Sequence, residues 1–343
     1  MGLRAYIIRR VLLMVPTLIG VTLLIFGVTQ FFSPYARAVV YMKSPASYRQ
    51  VDRIIAKYHL NESFFIQYRT WMEEVLQGNL GYSQSLSMPV RDALLKRFPG
   101  TLELVIFALP PTIILGIYLG VKSAVHRDKA IDHVTRSLSI IGWSLPTFWL
   151  AILLLAVFYG QTGWFPPERL GTAANIVTHS ANFVRYTGLY TIDGLLNGQL
   201  WITLDALRHL VLPVTTLTIV QIALIIRVMR SSMLEALNKG YMATARAKGL
   251  SKNAVINKHA RRNALIPVVT ISGILAAGML TGVVITETVF ALHGIGEFAA
   301  SAATQLDIAA VLGFALLSGI VFVMANLIVD IAYAYVDPRI RLG

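Results

Sequence analysis

Residues 11–32 read VLLMVPTLIGVTLLIFGVTQFF, twenty-two residues that carry no charge and follow directly on Arg9 and Arg10. As a helix rising 1.5 Å per residue the run extends about 33 Å, enough to cross the roughly 30 Å hydrocarbon core of a bilayer. A secretory signal is the other reading, and Ala36-Arg37-Ala38 even offers a small-x-small cleavage site. The run is too long for that, since the apolar region of a signal peptide spans about 7–15 residues. An uncleaved first span is expected.

Comparable runs recur at residues 102–121, 138–159, 209–228, 264–290 and 308–335. Of the 343 residues, 56% are hydrophobic and only 14% charged, where a soluble domain is charged at about a quarter of its positions. The apolar residues are blocked into long runs rather than short alternations. The fold class is an all-α integral membrane protein with six transmembrane helices and both termini on one side.

The net charge of +13 invites a nucleic-acid reading, and its distribution argues against one. The segments on the side of the N-terminus hold 18 Lys and Arg: Arg4, Arg9 and Arg10, four between Lys122 and Arg136, nine between Arg227 and Arg262, then Arg339 and Arg341. Against these stand Asp128, Asp132, Glu235 and Asp337, whereas the opposite side balances 12 Lys and Arg against 12 Asp and Glu. An excess confined to one face is the positive-inside signature of a multi-pass protein of the cell membrane with cytoplasmic termini. Its partner is the lipid bilayer, with no nucleic acid.

Three parts follow: the first span (1–32), an external helical insertion (33–100) and a core of five spans (101–343). In the insertion Phe64, Phe65, Tyr68, Trp71, Met72, Val75 and Leu76 make an apolar stripe at helical spacing, ended by Gly78-Asn79-Leu80-Gly81. Some 68 residues are marginal alone, so this cap is expected to rest on the membrane part. A second external segment, 160–208, carries turn signals at Gly163, Pro166-Pro167 and Gly171. No inverted or tandem repeat is apparent.

The residues for chemistry are sparse. There is no Cys, hence no disulfide, thiolate site or cysteine nucleophile. His126, His133, Asp128 and Asp132 are the nearest approach to a metal cluster, but their spacing matches no ligand pattern and a solvated loop is preferred. No phosphate loop occurs, and Gly294-Ile295-Gly296 reads as a turn. No catalytic residues, cofactor site or metal site are assigned.

The most informative stretch is residues 231–265, too patterned for a connector. Leu234, Leu237 and Tyr241 give one apolar face, followed by Thr244-Ala245-Arg246-Ala247-Lys248-Gly249-Leu250. Small side chains there admit close approach of another surface, and Arg246 and Lys248 offer charge. Gly249 can take the left-handed conformation that ends a helix. Ser251 is a good N-cap for a second short helix through Lys258 to Arg262, with Pro267 at the entry to the fifth span. On pattern alone, a basic hairpin lying on the inner leaflet and a protein-docking site account for it equally.

From Tyr241 to Pro267 the segment resembles the ATPase-docking loop of ABC importer permeases, in the version of the dipeptide/oligopeptide family. The resemblance runs along nearly the whole chain: Val15-Pro16-Thr17-Leu18-Ile19-Gly20, Gly78-Asn79-Leu80-Gly81-Tyr82-Ser83, Ser144-Leu145-Pro146-Thr147-Phe148-Trp149, Thr187-Gly188-Leu189-Tyr190, Glu287-Thr288-Val289-Phe290 and Asp337-Pro338-Arg339-Ile340-Arg341. It implies a type I importer permease of the first-permease kind, without catalysis of its own. Its partners would be a second homologous permease, two cytoplasmic ABC ATPases and an extracellular solute-binding protein. The solute would be a short peptide or an oligosaccharide, and residues Ala243–Leu250 would couple ATPase to spans. Two departures stand out. Ala243 replaces the Glu that opens the general loop, and Ser33-Pro34-Tyr35-Ala36 follows the first span where Pro-Gly-Asp-Pro is common.

Within the membrane, Gly116/Gly120 and Gly278/Gly282 form two G-x-x-x-G pairs, and Pro110-Pro111 is expected to kink the second span. Close packing within one protomer is favoured for the glycines over lining the subunit interface. Snorkelling or helix-end anchoring is favoured for Glu103, Arg227, Glu287 and Asp330. The rival class, an ion-coupled secondary transporter or channel without ATPases, calls for inverted repeats and mid-bilayer ionisable groups, and neither stands out.

The Cys-free chain allows a direct check of topology. Single Cys residues at Asn61 and Ser180 should react with a membrane-impermeant thiol reagent on intact cells, and one at Asn253 should not. The reverse labelling pattern would overturn the orientation.

Overall fold

Apolar length decides which segments become long helices here, and glycine and proline decide where those helices break. The structure, a computed structural model, describes residues 3–42 and 45–336. The closing motif from Asp337 to Arg341 lies outside the described residues. The elements used below are α1 (Leu3–Thr29), α2 (Phe64–Leu76), the strand pair β1 (Tyr82–Ser83) and β2 (Met88–Pro89), and α3 (Val90–Val125). There follow α4 (Ala130–Ser144), α5 (Thr147–Gln161), α6 (Leu200–Leu237), α7 (Gly240–Ala247) and α8 (Lys252–Leu280). The chain closes with α9 (Val284–Val289), α10 (Ile295–Thr304) and α11 (Ile308–Val336).

Five helices, α1, α3, α6, α8 and α11, are long and apolar enough to cross a membrane, and the bent pair α4–α5 makes a sixth candidate. Two span assignments need correction. Residues 138–159 are no straight span, because α4 and α5 meet at 96°. Pro146 disfavours the helical region for the residue before it, and Leu145 is extended at φ −71° and ψ 126°. The run 264–290 is displaced as well: α8 starts at Lys252, passes through a π-type turn at Val255–Ala260 and through Pro267, and stops at Leu280. Pro267 therefore lies inside a helix and does not mark its start. The stop is set by Gly282, whose φ of +103° no helix accommodates.

The most extensive pairing joins α3 to α6. Gly116 and Gly120 face Ile225 and Met229, so closely that a β-carbon on Gly116 would lie 2.5 Å from Ile225 Cγ2. The helix α8 packs against α6, α3 and α11, and α1 packs against α11. Helix α3 runs without a break through Pro99, Pro110 and Pro111.

The insertion packs on this framework. Phe64, Tyr68, Trp71, Met72 and Val75 of α2 gather around Phe26 of α1, with Phe26 and Trp71 ring centres 5.3 Å apart. Thr22 Oγ1 and Tyr68 Oη share a hydrogen bond of 2.8 Å. Phe65 and Leu76, assigned to the same stripe, lie on the outer face and are 77% and 80% exposed. At its far end the insertion is held by Asp307, whose Oδ2 accepts from Ser83 Oγ, Ser85 N and Ser85 Oγ at 2.7–3.0 Å.

The two glycine classes predict opposite responses. Gly116→Ala in the detergent-solubilised chain should destabilise it by about 1–3 kcal/mol through overpacking. Gly278→Ala meets nothing within 4 Å and should be neutral or stabilising by up to about 1 kcal/mol of helix propensity. Equal melting temperatures for the two variants would contradict the α3–α6 packing.

Candidate coupling site

Residues 231–265 fold as a hairpin at one end of the bundle. Helix α6 runs to Leu237, Asn238 ends it, and Lys239 is extended at φ −74° and ψ 148° before α7 begins. That extended residue resets the helical phase. Leu234 and Leu237 pack inward as the spacing implies, but Tyr241 is exposed, and Met242 and Ala245 take the inward positions instead. Both lie in one core with Ala124, Met233, Ala236, Val255, Ala260 and Ala264. The hairpin is thus packed onto the ends of α3, α6 and α8.

Gly249 adopts φ +73° and closes α7 in the left-handed region. Ser251 caps the next helix, its Oγ accepting from Ala254 N at 3.3 Å. No separate second short helix follows, because this cap opens α8 itself, so hairpin and span share one continuous backbone.

Ala243, Thr244, Arg246, Ala247, Lys248, Gly249 and Leu250 are exposed. Ala245 is not part of that surface: it is 6% exposed and belongs to the core beneath. A groove of about 400 Å³ opens beside the hairpin, lined by Val125, Leu237, Arg246, Leu250, Lys252, Val255 and Ile256. Its floor is apolar and its rim cationic. Arg246, Lys248 and Lys252 form no ion pair among the described residues. Such a surface suits a partner offering apolar and acidic groups.

One buried ion pair stiffens the mount. Arg230 donates from Nε and Nη2 to the two oxygens of Asp132, both at 2.7 Å. Ser123 Oγ and Asp128 N complete the carboxylate's hydrogen bonds. The four groups come from α3, the connector, α4 and α6, one turn before Met233. Asp132, expected in a solvated loop with two histidines, is instead fully buried. The signal for it was one carboxylate at the start of an apolar run, facing an Arg near the end of another.

The other singled-out residues lie elsewhere. Gly116 and Gly120 sit between α3 and α6, Pro110 and Pro111 within α3, Gly278 at an open surface of α8 and Gly282 in the turn after it. Gly278 and Gly282 thus do not form one helix-packing pair. Glu103 and Glu287 do not snorkel, being 2% and 0% exposed. Glu103 accepts from Thr191 N, Thr191 Oγ1 and Arg169 Nη2 at 2.7–2.9 Å. Glu287 accepts from Thr101 Oγ1 at 2.6 Å and Glu297 N at 2.8 Å. Asp330 pairs with Arg10 at 3.0 Å across α1 and α11, and Arg227 lies over the ring of Trp143.

Residues 112–342 match the family described as binding-protein-dependent transport system inner membrane component. Among similar proteins is the dipeptide transport system permease protein DppB of Alkalihalophilus pseudofirmus, 34% identical over 98% of this chain and 99% of the relative. The oligopeptide transport system permease protein AppB of Bacillus subtilis is also 34% identical, over 98% of this chain and 99% of its own length. The probable D,D-dipeptide transport system permease protein DdpB of Escherichia coli is 38% identical over 85% of each.

The two faces of α7 separate by substitution. Ala245→Trp should lower the melting temperature of the isolated chain sharply, as overpacking of a filled core costs about 1–3 kcal/mol or more. Ala243→Trp and Ala247→Trp, on the outer face, should leave it near wild type. A stable Ala245→Trp variant would refute the inward placement.

Proposed function

The chain belongs to the family of binding-protein-dependent transport system inner membrane components, and from that premise we propose that it forms half of the pathway by which an ABC importer takes up short peptides. A second, related permease supplies the other half, two ABC ATPases dock on the basic side, and a solute-binding protein delivers from the opposite side. The basic side is the cytoplasm, so both termini are cytoplasmic. Peptide is the solute in the names of the similar permeases, and an oligosaccharide is second to it.

The observation that carries the coupling role is the mounting of α7. A face of small exposed residues, Ala243, Thr244 and Ala247, with Arg246, Lys248, Gly249 and Leu250, stands on a core shared by three spans. A push on that face therefore reaches α3, α6 and α8 together. A lipid-binding hairpin would present larger apolar side chains outward. An ion-coupled carrier would need carboxylates free to exchange protons, and Glu103 and Glu287 are instead committed to hydrogen bonds. ATP is hydrolysed by the partner subunits.

In a reconstituted complex, Ala247→Trp and Gly249→Val should insert normally yet lose ATPase pull-down and most peptide-stimulated hydrolysis. The second adds roughly 1–2 kcal/mol of left-handed strain. Reversing Arg246 and Lys248 to Glu tests the leaflet alternative, which predicts weaker liposome binding with transport intact. Wild-type transport by both bulky variants would sink the assignment. The pure chain should hydrolyse no ATP.

A further inference from the structure

A second cavity, of about 610 Å³, opens at the end of the bundle away from the hairpin. It lies between the start of α3, the 160–208 segment and the turn at Ala291–His293, and its size is that of small-ligand sites. Lys96, Arg97, Arg169 and Arg185 line it, with Glu168 the one carboxylate of the lining. Four of the 12 basic residues on an otherwise balanced side thus converge on one hollow.

Their hydrogen-bonding capacity is not used up. Arg169 Nη2 is held by Glu103 and by Gly188 O, and its guanidinium lies 4.3 Å from the centre of the Tyr190 ring, but its Nε is buried with no acceptor. Arg97 Nη1 is likewise buried without an acceptor, Glu297 standing 3.9 Å away. Arg185 Nη2 has no carboxylate partner among the described residues; it lies 3.2 Å from His179 Nε2 and donates to Tyr190 Oη at 3.1 Å. Lys96 and Glu168 form no ion pair among the described residues.

Guanidinium and ammonium groups only donate hydrogen bonds, and an ionised carboxylate only accepts them. We propose that this cavity binds the terminal carboxylate of a short peptide on its way into the membrane pathway, with Glu168 placed to meet the peptide's ammonium end. An uncharged sugar offers donors as readily as acceptors and leaves Lys96 and Arg185, which form no ion pair among the described residues, uncompensated. The inference rests on the peptide-importer reading above and narrows it to solutes that carry a free carboxylate. The hollow is concave and of small-molecule size, which fits a peptide better than a docked protein face.

The test uses the full transporter in nanodiscs without its binding protein, with dialanine and its C-terminal amide as probes followed by saturation-transfer NMR. The amide should bind about tenfold more weakly, the effect of losing one charge-assisted hydrogen bond. Lys96→Gln, which alters an exposed side chain, and Arg185→Gln should each weaken dialanine binding and leave amide binding unchanged. Equal binding of acid and amide, or wild-type affinity in both variants, overturns the proposal. So does an effect confined to association of the binding protein without peptide, for the cavity then receives an acidic side chain of that partner. Uptake of dialanine by wild-type proteoliposomes with the binding protein tests the importer reading separately. Its failure overturns that reading, whereas uptake without acid–amide discrimination at the cavity overturns this inference alone.

Discussion

Apolar helices surrounded by lipid gain no hydrophobic free energy by touching each other, so what holds this bundle is close contact and internal polar bonding. The contact on which the rest is built is that of α3 with α6. Gly116 and Gly120 let Ile225 and Met229 approach the α3 backbone, and the same interface continues through Ala124 and Met233 to the core under the hairpin. Without the glycines the two helices would stand apart, and Met242 and Ala245 would have no common floor. The outer face of α7, proposed above as the coupling surface, stands at the end of this interface.

Buried irregular backbone is expensive unless its polar groups are met within the protein. Here five buried carboxylates meet them: Asp193 accepts from Thr187 N and Gly188 N, and the other four fasten further stretches. Asp132 fixes the connector before α4, Glu103 and Arg169 fix the segment around Thr191, Glu287 joins the turn that follows α8 to the first turn of α10, and Asp307 holds the β1–β2 hairpin. In each case the carboxylate accepts at least one backbone N–H. These acids are joints of the scaffold.

Length and hydrophobicity made the spans legible in the sequence, because an apolar run of that size has few other fates in water. Legible too were the left-handed Gly249, the Ser251 cap and the Gly78–Gly81 ending of α2, since each depends on one residue's own backbone preferences. What misled was phase and interruption. The apolar run through 264–290 continues across Gly282, and hydropathy does not register a glycine turn. Nor does hydropathy register Pro146, which breaks the apolar run 138–159. Ala245 turned inward because one extended residue, Lys239, rotated the face of α7, a change of angle with no compositional trace. The Arg230–Asp132 pair and the cationic cavity join residues remote in sequence, which a single chain does not reveal.

The π-type turn at Val255–Ala260 sits between the hairpin and the rest of α8. Such a turn holds one residue more than an α-helical turn, so it is a reserve of helical phase. Drawing that residue into regular α-helix would rotate one arm relative to the other by about 100° and move it about 1.5 Å along the axis. Linear motion of the hairpin could be converted there into torsion of α8, with no hinge and no loss of helix. In mechanical terms α8 is a screw with slack in its thread, next to the hairpin proposed to meet the ATPase.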